Sequence, residues 1–314
     1  MSLAIVIIKS KGIGDLCILV SSIHAISQKI HSQVTILAQK STNARAIFKN
    51  DPHVKEVIEL NDIEIKSFFG IIKKIKPKKF RQSYIFSDSV RFYLISKMAG
   101  IKESFQYRLF SKKGKNFFKT AKEFTENIFK TKINPQSKIY VNQIEIEKAR
   151  KKYNITEDTK NIVCGITASG PTKRWDISNY IKLFEKLNSK FKCRFFIACG
   201  INDENLIEQL KNSNIGKNFI SFSKMAIDET IPLIGACKYY IGNDTGFGHI
   251  SAGVGLRSLF LFMDSPPAAY GLYSTNISII VPEGETIESC THDTKGKDKI
   301  SVDKVSTKAF ELIS

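Results

Sequence analysis

The segment IGNDTGFGHISAGVG (residues 241–255) runs from an apolar strand through a polar turn into the start of a helix. In the turn, Thr245 and Gly246 allow the backbone to approach an anion closely, and the free amides of the helix start form a phosphate site. Asp244 and His249 add polar side chains to the same rim. In the alternative interpretation, Asp244 only caps the helix, and His249 is only a helix residue whose hydrogen bonds are satisfied. The order strand, turn, helix favours an α/β domain that binds an anion at this turn.

Strand patterns alternate with helical patterns along most of the chain, in two successive series. The sequence predicts strands at residues 4–10, 33–38, 54–60 and 83–87, and again at 161–167, 193–200, 218–223, 239–243 and 258–262. This alternation implies parallel sheets that are covered by helices on both faces. Because ligands bind beyond the carboxyl ends of such strands, chemistry is expected in the loops after residues 10, 167, 200 and 243.

The length of 314 residues suits two domains of ordinary size. We predict two doubly wound, Rossmann-like α/β domains that face each other across a cleft, formed by residues 1–155 and 156–300. A last helix at residues 301–314 closes the chain, and the N-terminal domain is one candidate surface for it to pack against.

The net charge of +18 comes from the first half of the chain. Residues 1–155 hold 30 Lys and Arg against 12 Asp and Glu, whereas residues 156–314 hold 18 of each. One interpretation is a solvated surface of biased composition, and the other is a domain that faces a phosphorylated acceptor or an acidic membrane surface. The basic runs IIKKIKPKKFR (71–81) and SKKGKNFFKTAKEF (111–124) carry no nucleic-acid motif, so nucleic acid is not predicted as a partner.

The six cysteines are scattered, which indicates buried free thiols in a reducing compartment rather than a disulfide or metal framework. The N-terminus begins apolar and then meets Lys9 and Lys11, the reverse of a signal peptide. No stretch reaches the roughly 18 apolar residues that span a bilayer. The sequence therefore predicts a cytoplasmic location.

The first turn, KGIGDL (residues 11–16), carries Gly12 and Gly14, but Cys17 stands where the third glycine of a dinucleotide fingerprint would lie. A nicotinamide is therefore not predicted, and no other bound cofactor is expected. The absence of a G-x-x-x-x-G-K-[ST] pattern removes P-loop kinases and ATPases. Asp15 is placed to cap the helical pattern that follows.

Five motifs in the chain resemble, in order, those of glycosyltransferase family nine: KGIGDL (11–16), TASGPTKRW (167–175), GINDE (200–204), FSKMAIDE (222–229) and NDTGFGHISA (243–252). This family comprises the bacterial ADP-heptose:lipopolysaccharide heptosyltransferases and their relatives. The resemblance is strong over residues 160–262 and weak over residues 61–155. It implies a GT-B fold, inversion at the anomeric carbon, no metal, a donor site in the C-terminal domain and an acceptor site in the N-terminal one.

The donor-binding residues that the resemblance implies are Ser169, Lys173, Glu204, Met225, Asp244, Thr245, Gly246 and His249. Among these, Lys173 resembles a diphosphate-binding lysine, whose compact charge suits a pyrophosphate leaving group. Glu204 resembles the acid that binds the ribose, and Met225 falls where contacts to the base are expected. Trp175 is open between core packing and ligand contact.

Asp15 resembles the proposed general base of the family, and Gly12 and Gly14 form the acceptor-side loop around it. A helix start stabilises the carboxylate and makes it a weak base in the ground state. It can nevertheless take a proton late in the reaction, as in inverting glycosidases. A purely capping role is the alternative.

Two stretches depart from the family pattern. The sequence has LFMDSPPAAYG (261–271) where the family usually has G-P-T-D-P, and Ala168-Ser169 where the ADP-heptose enzymes often carry two threonines. Because of these departures, the expected donor sugar is either heptose or a related sugar.

The sequence thus predicts an inverting, metal-independent glycosyltransferase that uses a nucleotide-sugar donor, with ADP-heptose as the expected one. Its acceptor would be an anionic, lipopolysaccharide-type molecule at the cytoplasmic face of the inner membrane. The alternatives are a GT-B nucleotide-sugar epimerase and a catalytically inactive nucleotide-sugar-binding relative.

Overall fold

The computed structural model describes residues 3–107, 116–216 and 218–314. The chain divides into two compact units, unit 1 (Met1–Tyr140) and unit 2 (Val141–Ser314). Among the described residues, no helix has the length and apolar character that crossing a membrane requires.

Unit 1 is built on one parallel sheet. Its strands are β1 (Ala4–Ile8), β2 (Val34–Gln39), β3 (Val54–Leu60), β4 (Gln82–Phe86) and β5 (Glu103–Gln106). Its helices are α1 (Ile13–Lys29), α2 (Ala44–Ile47), α3 (Phe68–Ile75), α4 (Val90–Met98) and α5 (Phe117–Phe129). The strand order is β3-β2-β1-β4-β5 with all pairs parallel. The central strand β1 is buried along its whole length, as expected for a parallel sheet covered on both faces.

Helices α3 and α4 lie side by side on one core of unit 1. This core joins Ile71 of α3 and Ile95 of α4 to Ile5 of β1 and Ile85 of β4. Helix α1 packs against α5. The loop after β1 therefore starts from a buried strand that is hydrogen-bonded to β2 on one side and to β4 on the other.

The first helix differs from its prediction. Helix α1 begins at Ile13, and Gly12 in extended backbone is its N-cap. The prediction that Asp15 caps this helix is wrong, because Asp15 is the third residue of the first turn. Its carboxylate still lies where the amides of a helix start favour negative charge.

Unit 2 is built on a second parallel sheet. Its strands are β6 (Lys160–Gly165), β7 (Cys193–Ala198), β8 (Phe219–Ser221), β9 (Tyr239–Asn243), β10 (Arg257–Leu261) and β11 (Ile277–Ile280). Its helices are α6 (Gln143–Lys152), α7 (Ile177–Lys190), α8 (Glu204–Lys211), α9 (Ile227–Gly235), α10 (Gly246–Val254), α11 (Pro267–Tyr270) and α12 (Val302–Ile313). The order is β11-β10-β9-β6-β7-β8, and all pairs are parallel.

The direction of winding in unit 2 reverses between β6 and β9. From β6 the chain proceeds outward to β7 and β8, and it then returns to β9 and proceeds the other way. In sheets of this kind, the crevice beyond the carboxyl ends of the two strands at the reversal is the usual ligand site. The loops that open on this crevice are residues 166–175 after β6 and the turn at Asp244 after β9.

The unit boundary lies earlier in the chain than the predicted boundary after residue 155. Helix α6 packs against α9, with Ile146 close to Gly235, so it belongs to unit 2. Helix α12 packs against α7, β9 and β10, and it contributes Val305, Ala309 and Ile313 to the core of the same unit. Unit 2 thus covers the apolar face of the last helix.

Strands β6 and β9 approach each other through a pair of glycines, Gly165 and Gly242. A Cβ atom on Gly242 would lie 2.5 Å from the backbone nitrogen and oxygen of Gly165. A Cβ atom on Gly165 would lie 1.9 Å from the hydroxyl oxygen of Tyr240, which is fully buried. The glycines therefore set how closely the two strands, and the loops that leave them, come together.

We expect Gly242→Ala to lower the free energy of unfolding by about 1–3 kcal/mol, because the added methyl group would overlap backbone atoms that have no room to move. The measurement is denaturant unfolding followed by circular dichroism. Gly170→Ala is the matched control, since nothing lies within 4 Å of a Cβ there and φ is an ordinary −150°. Equal stability of the two variants would refute the close-approach argument.

Candidate functional site

Asn243, the last residue of β9, fastens the loop after β6. Its side chain is fully buried, and its Oδ1 accepts hydrogen bonds from the Trp175 amide at 3.3 Å and from the Tyr180 hydroxyl at 2.9 Å. Its Nδ2 donates to the Thr167 carbonyl at 3.3 Å. One buried amide thus holds both ends of the loop 167–175 against β9. This strand leads into Asp244, Thr245 and Gly246, which we call the D-T-G turn.

Trp175 anchors the end of this loop in the core. Its side chain is 2% exposed, and its Nε1 donates to the Ile300 carbonyl at 2.9 Å. It packs edge-on against Tyr180. Trp175 is therefore a packing residue, which decides between the two interpretations that the sequence left open.

Asp244 and His249 form a hydrogen-bonded pair at the turn. The Asp244 Oδ1 lies 2.9 Å from His249 Nε2, and Oδ2 accepts a hydrogen bond from the Ser265 hydroxyl at 2.8 Å. The other ring nitrogen of His249, Nδ1, lies 2.9 Å from the hydroxyl of Tyr273. Because an ionised carboxylate only accepts, Nε2 is the donor to Asp244. His249 is 3% exposed, so it orients Asp244 from the buried side of the turn.

Burial acts to raise the pKa of Asp244, but opposing interactions outweigh it. The hydrogen bond and charge of His249, the Ser265 hydroxyl and the charge of Lys173 together hold the pKa below its usual value. The turn therefore carries a fixed, ionised carboxylate at neutral pH.

Thr245 caps helix α10, and Gly246 is the first residue of the helix. The Thr245 hydroxyl accepts a hydrogen bond from the Gly248 amide at 3.3 Å. A Cβ atom on Gly248 would lie 2.8 Å from the rings of Phe260 and Tyr240, so the first turn is pressed onto the sheet. The remaining amides of a first helical turn have no partner within the helix. They make this end of α10 suitable for an anion.

Asp264, which follows β10, makes a second contact that holds the loop 167–175 in place. We call this loop, which carries Lys173, the lysine loop. The residue Asp264 is 5% exposed, and its carboxylate accepts hydrogen bonds from the Thr172 hydroxyl at 2.5 Å and the Lys295 amide at 2.8 Å. Burial acts to raise its pKa, but these bonds and the charges of Lys173 and His292 lower it more. Lys173 is half-buried, and its charge acts on Asp244 as well as on Asp264.

Sequence reasoning missed four residues that organise this site: Thr172, Asn243, Asp264 and Ser265. A signal for the last two was present, because Asp264 and Ser265 are polar residues that follow the buried strand SLFLF after a single methionine. Strand β10 pairs with β9, so its carboxyl end opens on the same edge of the sheet.

Arg174 connects the lysine loop to the loop after β7. Its Nε donates to the Ala168 carbonyl at 3.0 Å, and its guanidinium lies 3.6 Å from Asp203. Asp203 in turn accepts a hydrogen bond from the Gly200 amide at 3.0 Å. Ser169 is exposed on the surface of the lysine loop.

Glu204 and Met225 lie on the β7–β8 side of unit 2. Glu204 begins α8, is exposed, and has its carboxylate 3.9 Å from the ammonium of Lys224. Met225 is half-buried, and its sulfur accepts a hydrogen bond from the Tyr153 hydroxyl at 3.8 Å. The structure thus gives two groups of predicted donor residues, one at the turn after β9 and one here, and the ion pair of Arg174 with Asp203 joins the loop 167–175 to the loop before Glu204.

In unit 1, Gly12, Gly14 and Asp15 lie at the carboxyl end of β1. The Lys9 carbonyl accepts a hydrogen bond from Gln39 Nε2 at 2.6 Å, which steadies the start of this loop. A Cβ atom on Gly12 would lie 3.6 Å from the Asp15 carboxyl group. The winding of unit 1 reverses between β1 and β4, so this loop occupies the position that ligands favour.

Comparison with solved structures identifies the fold. ADP-heptose lipopolysaccharide heptosyltransferase II of E. coli superposes with a TM-score of 0.77 at 17% identity, and the match covers 100% of this chain and 98% of that chain. The family 9 glycosyl transferase of Veillonella parvula DSM 2008 gives 0.81 at 16% identity, with the same coverage of 100% and 98%. E. coli heptosyltransferase WaaC with ADP gives 0.72 at 13% identity, covering 98% of this chain and 99% of that chain. The fold is GT-B, with two Rossmann-like α/β units.

Comparison of sequences identifies the family. No curated protein sequence matches the chain, but the profile of glycosyltransferase family 9 (heptosyltransferase) matches residues 108–300. That match spans more than half of the chain and includes the loops after β6, β7 and β9. The chain belongs to glycosyltransferase family 9 and is a heptosyltransferase-like glycosyltransferase.

Proposed function

We propose that the protein is an inverting, metal-independent transferase that moves heptose, or a related sugar, from a nucleotide diphosphate to an anionic, lipopolysaccharide-type acceptor. The observation that supports this most directly is the convergence of Lys173, the Asp244 turn and the start of α10 at one edge of the unit 2 sheet. ADP is the nucleotide named with the WaaC structure, and we assign ADP-heptose as the donor here.

Lys173 is the group that neutralises the donor diphosphate in this proposal. As the glycosidic bond breaks, negative charge grows on the leaving diphosphate, and a nearby ammonium stabilises it. The partly exposed Lys173 and the first-turn amides of α10 together supply the positive end of this interaction. A lysine in this role takes the place that a divalent metal ion has in other transferases.

The two neighbouring carboxylates would repel a diphosphate unless their charge is compensated. Asp244 is bonded to His249 and Ser265, and Asp264 is bonded to Thr172 and to the Lys295 amide. These partners compensate much of the charge. They also hold the two carboxylates in positions from which the carboxylates orient Lys173. Asp244, with 15% of its side chain exposed, is left to accept a hydroxyl of the sugar.

The nucleoside half of the donor is assigned to the second group of residues. Glu204 offers two carboxylate oxygens to the ribose hydroxyls. Its ion pair with Lys224 is long, at 3.9 Å, so contacts with a ligand can replace it easily. The half-buried thioether of Met225 offers a polarisable, apolar surface to the base. Ser169, exposed on the lysine loop, supports the diphosphate with its hydroxyl.

Asp15 is assigned as the general base for the acceptor hydroxyl. Inversion in a single displacement requires one group to accept this proton as the new bond forms. The first turn of α1 favours the ionised carboxylate, which keeps it ready to take the proton late. Gly12 and Gly14 leave space for an acceptor around it.

The acceptor side is assigned to unit 1 because the excess charge lies there. Unit 1, residues 1–140, holds 26 basic against 10 acidic residues, whereas residues 141–314 hold 22 against 20. An acceptor that carries phosphates at a membrane face suits such a surface. We therefore propose that the protein is a peripheral membrane protein at the cytoplasmic face of the inner membrane.

The proposal is tested by following labelled heptose from ADP-heptose into extracted lipopolysaccharide precursor, with and without EDTA. Transfer that persists in EDTA supports it. Isomerised nucleotide sugar without transfer would instead indicate an epimerase. Donor binding without any turnover would indicate an inactive relative.

We expect Lys173→Met to weaken ADP binding about 10- to 100-fold, the range for loss of a charge-assisted contact to phosphate. Isothermal titration calorimetry with ADP, UDP and GDP measures the effect and the base preference. Lys182→Met removes an exposed lysine from α7 of the same unit and should leave binding unchanged. Equal ADP affinity in both variants would contradict the assignment of Lys173.

We expect Asp15→Asn to lower kcat by about 100- to 10,000-fold, because the amide no longer accepts the proton. ADP affinity should stay within about twofold of wild type, since Asp15 belongs to unit 1. Asp62→Asn, an exposed carboxylate of the same unit, should retain full activity. Near-wild-type transfer by Asp15→Asn would exclude the general-base role.

A further inference from the structure

Helix α4 turns an apolar face to solvent. Its exposed residues recur at the spacing of a single helical stripe: Val90, Tyr93, Leu94, Lys97 and Met98. Four of these five are apolar, although the outer side of a surface helix usually carries polar residues. The opposite side of the helix, with Phe92 and Ile95, is already used in the core of unit 1.

Two more apolar side chains project from the segment beside α4. Ile63, in the loop after β3, is 80% exposed, and Phe69, at the start of α3, is 72% exposed. Helix α3 packs against α4 over the same core. We call the six apolar residues the apolar face: Ile63, Phe69, Val90, Tyr93, Leu94 and Met98.

Basic side chains border the apolar face. Residues 61–103 hold ten Lys and Arg against four Asp and Glu. The exposed lysines of the α3 segment and of α4 are Lys66, Lys73, Lys74, Lys76, Lys79 and Lys97. Of these, Lys74 is paired with Glu64 at 2.5 Å, and Lys97 lies over the ring of Tyr93 at 5.5 Å. The border is therefore cationic on both helices.

We propose that the apolar face docks on the surface of an anionic lipid bilayer. Exposed aromatic and aliphatic side chains that insert at the headgroup boundary, with lysines beside them, are the features that hold a helix in the plane of such a surface. The charge argues against a second copy of the chain as the occupant, because two lysine borders would then be brought together.

The position of the apolar face gives the contact a use, and this use rests on the proposed function. Ile63 and Val90 follow the carboxyl ends of β3 and β4. The loop with Gly12 and Asp15 follows the carboxyl end of β1, on the same edge of the same parallel sheet. A bilayer against this part of unit 1 would present a lipid-anchored acceptor to the acceptor-side loop.

The experiment is co-sedimentation of the full chain with vesicles of phosphatidylcholine, with and without phosphatidylglycerol, at low and high salt. We expect binding only to the anionic vesicles, with loss of binding at high salt. The double variant Phe69→Ser/Leu94→Ser should bind about tenfold more weakly or less, because it loses inserted apolar surface. Lys73→Glu/Lys76→Glu should abolish the preference for phosphatidylglycerol.

Ile144→Ser is the matched control, since Ile144 is 64% exposed but lies on α6 of unit 2. Equal binding to both kinds of vesicle, or unchanged binding by the Phe69/Leu94 variant, would overturn the proposal. Dimers of wild type that this variant abolishes, without any vesicle binding, would assign the face to a second copy instead. ADP affinity is measured on every variant, so loss of the donor function and loss of the membrane contact are read separately.

Discussion

The contacts of one buried amide, Asn243, determine the geometry of the proposed donor site. Its oxygen and nitrogen bind the two ends of the lysine loop, at Trp175 and Thr167, and the next residue in the chain is Asp244. The distance between the two loops that converge at the crevice is therefore set by a side chain rather than by loop length. An unpaired amide buried at this depth would cost about 1–3 kcal/mol, so the loops and the amide hold each other in place. Lys173, two residues before Trp175, acquires its position from this contact.

The close approach of β6 and β9 makes that contact possible. Gly165 and Gly242 have no Cβ, and the hydroxyls of Tyr180 and Tyr240 occupy the space beside them. Tyr180 reaches the Gly165 carbonyl and the Asn243 side chain, while Tyr240 donates to the Asn243 carbonyl at 2.6 Å. The same small residues thus serve the packing of the sheet and the organisation of the crevice. The stability of unit 2 and the geometry of the proposed donor site are coupled for this reason.

The sequence predicted the fold well where patterns are long and the site only where chemistry is local. Strands β3 and β9 match their predicted limits, 54–60 and 239–243, because polar turn residues follow each of them, Asn61-Asp62 after β3 and Asp244-Thr245 after β9. The four-residue strands β5 and β11 were missed, since partly exposed edge strands carry little pattern. The D-T-G turn was found because its residues are adjacent. The bond between Thr172 and Asp264 joins residues 92 positions apart, and no local pattern reports such a contact. For the same reason, no local pattern shows that helix α6 packs against α9.

Charge is used in different ways in the two parts of the chain. Residues 156–314 carry equal numbers of acidic and basic residues, so the anion binding proposed there would depend on the placement of Lys173 and of helix amides rather than on net charge. The first half has the excess of lysines, which lie largely in solvent. Attraction between exposed charges is screened over about 10 Å at 0.1 M salt, whereas partly buried pairs are screened much less. Rising ionic strength should therefore weaken the proposed interaction of unit 1 with anionic surfaces before it weakens the proposed binding of a diphosphate in unit 2. The two proposed kinds of anion recognition, one diffuse and one at fixed positions, differ because the lysines of unit 1 are mostly exposed whereas Lys173 is half-buried.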